Sequence, residues 1–153
     1  MIIITDKPID SSAVLASVSD PDCGANVLFV GTTRRITGQR ETTRLEYECY
    51  ESMAVSKMEA LAAQACEQWP IVKVSIVHRI GAVEIEAASI AVAVSSAHRS
   101  PAFEAASWLL ERLKQEVPVW KREIWADGQE EWVHPESSEV RSAVEHDPTE
   151  ASS

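Results

Sequence analysis

A single mixed α+β domain, with a mixed or antiparallel sheet and two main helices, is the fold class this sequence predicts. Three observations carry it. Residues 44–50, RLEYECY, alternate apolar and charged with the period of two of a half-buried strand. Two longer stretches, 51–69 and 101–116, repeat apolar residues at the three-and-four spacing of a helix, and Pro70 stops the first. Around them lie β-branched runs at 2–5, 25–34, 71–79 and 88–96.

In chain order, IIIT at 2–5 reads as a short strand. A small helix is predicted after Asp10 or Ser11, with Ala13, Val14 and Val18 inward. ANVLFVGTTR, 25–34, is apolar on both faces and then polar, so it is predicted to run from the core to an edge or cleft. RITGQR is turn-like around Gly38. Within 44–50, Leu45, Tyr47 and Cys49 share one face, and Arg44, Glu46 and Glu48 share the solvent face. The first main helix is predicted to bury Met53, Met58, Leu61, Ala65 and Trp69. IVKVSIVHR and ASIAVAVSS are strands joined through Gly81. The second main helix carries the stripe Phe103, Ala106, Leu110, Leu113 and Val117. Ser100 suits its N-cap and Pro101 its first position. After Pro118 strand character returns up to Trp132, with Val117, Val119 and Trp120 reading as buried.

At 153 residues, 45% of them hydrophobic and 25% charged, the chain suits one ordinary core. The domain is expected over 1–135. Residues 136–153, ESSEVRSAVEHDPTEASS, are acidic and poor in large apolar side chains, the composition of a disordered tail. The net charge of −10 disfavours nucleic acid as a partner. No apolar run approaches the roughly 20 residues of a membrane span, so no membrane partner is expected. The opening MIIITDKPID carries two aspartates and no basic segment, so no secretory signal is expected there and a cytoplasmic location is. Cys23, Cys49 and Cys66 form no CxxC pair and no Cys/His cluster. Buried thiols in a reducing compartment are expected, with no metal and no cofactor.

The chemistry is carried by cations. His98 and Arg99 lie between a strand end and a helix N-terminus, where backbone N–H groups favour an anion. Lys114 ends the helical pattern, about 20 Å from His98 along the axis at 1.5 Å per residue. One site using both needs a helix lying along the pocket, a long ligand, or a pocket that spans a subunit boundary. Lys121 and Arg122 follow Trp120 on an extended segment, so Lys121 shares a face with Val119, and Arg122 shares the other with Trp120. Arg34 follows Thr32 and Thr33 where a strand leaves the core, without the GK[ST] of a phosphate-cradling loop. No Ser–His–Asp or Cys–His order can be assembled. A set of cations suited to an anionic ligand remains.

Taken in order, GANVLFVGTTR (24–34), RLEYECYESMA (44–54), VHRIGAV (77–83), IAVAVSSAHRSPAFEA (90–105) and LKQEVPVWKREIW (113–125) resemble the catalytic large subunit of molybdopterin synthase. The resemblance spans about 24–132. It implies an α/β-hammerhead-type fold and a homodimer. Each copy would bind a small ubiquitin-like sulfur-carrier subunit with a C-terminal Gly-Gly, giving a heterotetramer. The carrier's thiocarboxylate would give two sulfurs to cyclic pyranopterin monophosphate, a pterin phosphate substrate, forming the dithiolene of molybdopterin. By motif, Lys114 and Lys121 resemble the catalytic lysines. Thr32, Thr33, Arg34, His98, Arg99, Arg122 and Glu123 resemble the substrate-binding segments. The family's basic residue after the final tryptophan has no clear counterpart, since Trp132 is followed by Val133, His134, Pro135 and Glu136, and Arg141 is the first arginine. Two other readings of the same cations are a non-catalytic dimeric carrier-binding subunit and an unrelated phosphate-ligand enzyme such as a cyclic phosphodiesterase.

Overall fold

The computed structural model describes residues 1–133. The tail expected over 136–153 and the domain boundary expected at 135 lie outside those residues, as do His134 and Arg141. The described residues form the mixed α+β architecture that the sequence predicts.

One sheet holds β1 (Ile2–Thr5), β5 (Ile71–Arg79), β7 (Ala88–Ser96) and β2 (Ala25–Thr32) in that spatial order. β1 runs parallel to β5, and the other pairs are antiparallel. β7 is an interior strand buried on both faces, which is why its sequence reads IAVAV without alternation. The helices α2 (Glu51–Gln68) and α3 (Arg99–Glu116) cover one face. They pack Met58, Leu61, Ala102 and Leu109 against Ile76, Val92 and Val94. The short α1 (Ser11–Ser17) covers the opposite face, setting Val14 and Val18 on Val77, Ala91 and Ala93. Asp10 caps α1 by accepting from the Ala13 N–H at 3.0 Å. Ala13 itself is exposed.

A second sheet holds β3 (Ile36–Thr37), β4 (Arg40–Cys49), β8 (Val119–Trp125) and β9 (Glu130–Val133). β6 (Gly81–Glu84) also pairs with β4. The chain turns from the first sheet into the second between β5 and β6, where Gly81 has φ +78°, a backbone that side chains rarely tolerate. At Gly31 a Cβ would sit 2.8 Å from Ile90 Cγ2, so the close approach of β2 to β7 requires glycine.

Five expectations need correction. α3 begins at Arg99 with His98 as its N-cap, two residues before the predicted start. Pro101 falls within the first turn, whose amides have no intrahelical acceptor, so proline is tolerated there as well as at the first position. The buried face of α3 is Ala102, Ala105, Ala106, Leu109 and Leu113, while Phe103 is 60% exposed. Alanines let the helix lie close on β7 and β2, and close packing won over side-chain size. On α2, Met53 is likewise exposed, with Ala54 buried in its place. Trp120 is 46% exposed, because β8 turns it to the outer face of the sheet. The cysteines are less buried than expected: Cys23 and Cys49 are half-buried and Cys66 is exposed.

These packing assignments make different substitutions costly. Leu109→Ala is expected to lower stability by about 3 kcal/mol in urea unfolding, the cost of a core cavity. Phe103→Ala is expected to change it by less than about 1 kcal/mol.

Candidate functional site

The pairing of β4 with β8 sets the site. In that antiparallel ladder Tyr47 faces Lys121, Glu46 faces Arg122 and Leu45 faces Glu123. Successive side chains of β8 point to opposite sides, so Lys121 and Glu123 turn inward and Arg122 turns outward. Glu123 is 3% exposed and accepts hydrogen bonds from the Thr37 and Thr42 hydroxyls. A buried carboxylate thus lies beside the half-buried Lys121 and favours its charged form.

The net effect on Lys121 runs the other way. Its ammonium is held below the usual lysine range, first by burial and then by the positive charges of Arg34 and Lys114. Arg34 and Lys114 therefore lie within electrostatic reach of Lys121. Lys114 occupies the last turn of α3, where the helix dipole favours a cation. The chain reverses at Val117 and Pro118, and this short link brings Lys114 close to β8. Arg34 is placed by its neighbour Thr33, which is buried. Thr33 donates its N–H to Ala87 C=O at 3.1 Å, accepts from the Glu86 N–H at 2.8 Å, and donates its hydroxyl to Val83 C=O at 3.4 Å. An open depression of about 410 Å³, lined by Thr32, Thr33, Arg34, Arg35, Ile85 and Glu86, adjoins this end of β2. Among the described residues no carboxylate forms an ion pair with Arg34, Lys114 or Lys121.

Two predicted groups lie elsewhere. Arg122 pairs with Glu46 and Glu130 and lies over the Trp132 ring at 5.6 Å, all on the outer face of the sheet. Its charge is matched there by carboxylates, and Lys121 alone of the two faces inward. Glu46, on the outer face as expected, bridges Arg122 and Arg44. His98 and Arg99 stand exposed at the first residues of α3, and His98 makes no side-chain capping bond. Arg99 and Lys114 are about 22 Å apart along the axis at 1.5 Å per residue. Within one chain the structure gathers Arg34, Lys114, Lys121 and Glu123, and it leaves His98 and Arg99 at the far end of α3.

Sequence reading did not single out Tyr47 or His78. Tyr47 packs edge-on against the His78 ring, with centroids 5.2 Å apart and planes at 72°. The His78 Nδ1–H donates to Arg79 C=O at 2.9 Å, and burial holds this imidazole below its ordinary range. Only the strand register places the pair behind Lys121. The thiols carry no comparable signal. Burial pushes Cys49 and Cys66 up, with Glu51 adding to the effect at Cys49, so neither is an activated nucleophile. Among the described residues no group of three or more His, Cys, Asp or Glu side chains could hold a metal ion. Among them, too, no helix is long and apolar enough to cross a membrane.

Comparison with known proteins follows the same lines. The profile of the family described as "MoaE protein" matches residues 4–116. The chain is 44% identical over 130 residues to the molybdopterin synthase catalytic subunit of Bacillus subtilis (strain 168), covering 85% of this chain and 82% of that one. Among solved structures, it superposes on molybdopterin synthase from Staphylococcus aureus with a TM-score of 0.81 and 38% identity, over 85% of this chain and 94% of that one. At 20% identity and a TM-score of 0.70 it shares the fold of a chain in the complex of subunits 1 and 2 of molybdopterin-converting factor from Helicobacter pylori 26695, over 87% and 88% of the two chains.

The outer-face ion pairs are open to titration. Arg122 and then Arg44 hold the Glu46 carboxyl below its usual range. A depressed carboxyl stabilises the fold above its unfolded pKa of about 4.3, and that contribution is lost as pH falls through the folded value. Glu46→Gln is therefore expected to lower the urea midpoint at pH 7, with the gap from wild type closing as the pH falls through the folded value.

Proposed function

The chain belongs to the MoaE protein family, and from that premise we propose how its cation cluster serves a molybdopterin synthase catalytic subunit. Molybdopterin synthesis is the activity it shares with its curated relatives. The proposal concerns substrates, partners and residue roles. A small sulfur-carrier subunit presents its C-terminal Gly-Gly as a thiocarboxylate. Two such sulfurs pass to cyclic pyranopterin monophosphate and form the dithiolene.

The observation that carries this reading is the Lys121 environment, a half-buried amine on β8 with Lys114 and Arg34 close by in a chain of net charge −10. Local positive charge of this kind attracts anions that the global charge repels. Both reactants are anionic, one a thiocarboxylate and the other a cyclic phosphate. Lys114 and Lys121 polarise the thiocarboxylate and move protons during attack and opening of the phosphate ring. A lysine depressed by burial and by neighbouring cations is better matched to proton transfer near neutral pH than an ordinary one. Glu123 favours the charged form of that amine, and Arg34 binds the anionic substrate, with Thr33 as its anchor and Thr32 beside it. Raised thiols at Cys49 and Cys66 fit a reaction whose sulfur arrives on the partner.

His98 and Arg99 join the site across a homodimer. The length of α3 separates them from Lys114 of the same chain by about 22 Å, whereas a two-fold related copy can supply them, since such an interface presents each residue twice. Arg122 acts as an outer-face strut and not as a substrate ligand. The binding-only reading is not favoured, because both lysines are present and meet at one site. The unrelated phosphate enzyme is not favoured by family membership.

Purified protein with a thiocarboxylated carrier is expected to convert cyclic pyranopterin monophosphate to molybdopterin, and Lys114→Ala or Lys121→Ala to lower the rate roughly 100-fold or more. A stable carrier complex that makes no product would overturn the catalytic reading. Randomly mixed Lys121→Ala and His98→Ala subunits are expected to recover about a quarter of wild-type activity, since half the dimers then hold one intact site of two. No recovery would place all the residues of a site on one chain.

A further inference from the structure

Tyr47 is the cross-strand partner of Lys121, so their side chains leave the same face with Cβ atoms about 5 Å apart. The other sheet packs against the tyrosine. The His78 ring meets it edge-on at 5.2 Å. Its hydroxyl lies near Ser89, whose own hydroxyl donates to Gly31 C=O at 3.3 Å. Burial pushes the phenol up, as does the nearby Glu123, so it stays protonated. An aromatic ring held in this way is a rigid apolar wall beside an amine.

We propose that Tyr47, clamped by His78, is a positioning residue that shields the Lys121 amine from water and holds it against Arg34 and Lys114. This rests on the catalytic reading of Lys121 given above. The charged and titratable groups around Lys121 come from every neighbouring element. Glu123 of β8 favours the ammonium, whereas Arg34 after β2 and Lys114 of α3 oppose it. Tyr47 of β4 is a neutral phenol, and Val133, its β9 partner, carries no charge. Burial is the largest influence on Lys121, ahead of every one of these charges. A wall that excludes water therefore governs the amine more than any single neighbour. Tyr47 does not touch the reacting atoms in this scheme. Its ring acts through Lys121.

The test is competitive acetylation of the intact protein with acetic anhydride across a pH series, quantified at Lys121 by mass spectrometry. Only the neutral amine reacts, so the midpoint of the curve reports Lys121 directly and needs no substrate or carrier. Tyr47→Phe keeps the ring and is expected to keep the wild-type midpoint. Tyr47→Gln removes the apolar wall and is expected to move the midpoint to higher pH by about one unit, a tenfold loss of Lys121 reactivity near neutrality. The pH limb of molybdopterin formation should move with it. His78→Ala releases the clamp, is expected to shift the midpoint in the same direction, and serves as the test if Tyr47→Gln does not fold. Unchanged midpoints in Tyr47→Gln, or in His78→Ala where the first is unfolded, would overturn the role of Tyr47. Full activity in Lys121→Ala would instead remove the catalytic reading beneath it.

Discussion

The pairing of β4 with β8 is the constraint on which the rest of the site depends. A strand has a side-chain period of two, so sliding β8 by one residue would turn Lys121 outward and bring Arg122 into the interior. The register is held on both faces. Inside, Glu123 is gripped by the hydroxyls of Thr37 and Thr42. Outside, Arg122 bridges Glu46 and Glu130. Two adjacent cations, Lys121 and Arg122, thereby receive different work. One is half-buried within reach of Arg34 and Lys114, and the other fastens strands.

Holding a lysine in a half-buried place is unfavourable unless something offsets its lost hydration. Glu123 supplies part of that offset, and its own burial is made tolerable by two hydroxyl donors. Arg34 and Lys114 work against it. The result is a cluster of cations in which burial first, and then mutual repulsion, hold the Lys121 ammonium below its usual range. In a protein of net charge −10, this is a way to attract anionic reactants without a basic surface. The scaffold bears the strain: β7 is buried on both faces, α2 and α3 lie against it, and the chain reversal after α3 leads directly into β8.

Much of the scaffold was legible because its signals are local. Alternation over 44–50 gave β4, Asp10 gave the start of α1, and Pro70 gave the end of α2. Errors arose where close packing overrode side-chain size or where a signal fits several positions. Phe103 was placed in the core although small Ala102 and Ala105 take that face. Pro101 suits any position of the first helical turn, so it could not fix where α3 begins. Trp120 read as buried because its size outweighed its place in the strand alternation.

By itself the sequence determined the element types, the face shared by Val119 and Lys121, the motifs that resemble the family, and the roughly 20 Å between the two ends of α3. Each of these depends on residues near one another in the chain, where helical rise and strand period set geometry. Only the tertiary structure decided that Lys121 stands opposite Tyr47, that Arg34 and Lys114 reach it, and that Arg122 is matched by Glu46. Those outcomes depend on strand register and helix docking, which bring together residues of different elements. No local pattern encodes them, because the free energy that selects a register belongs to the whole packed interface.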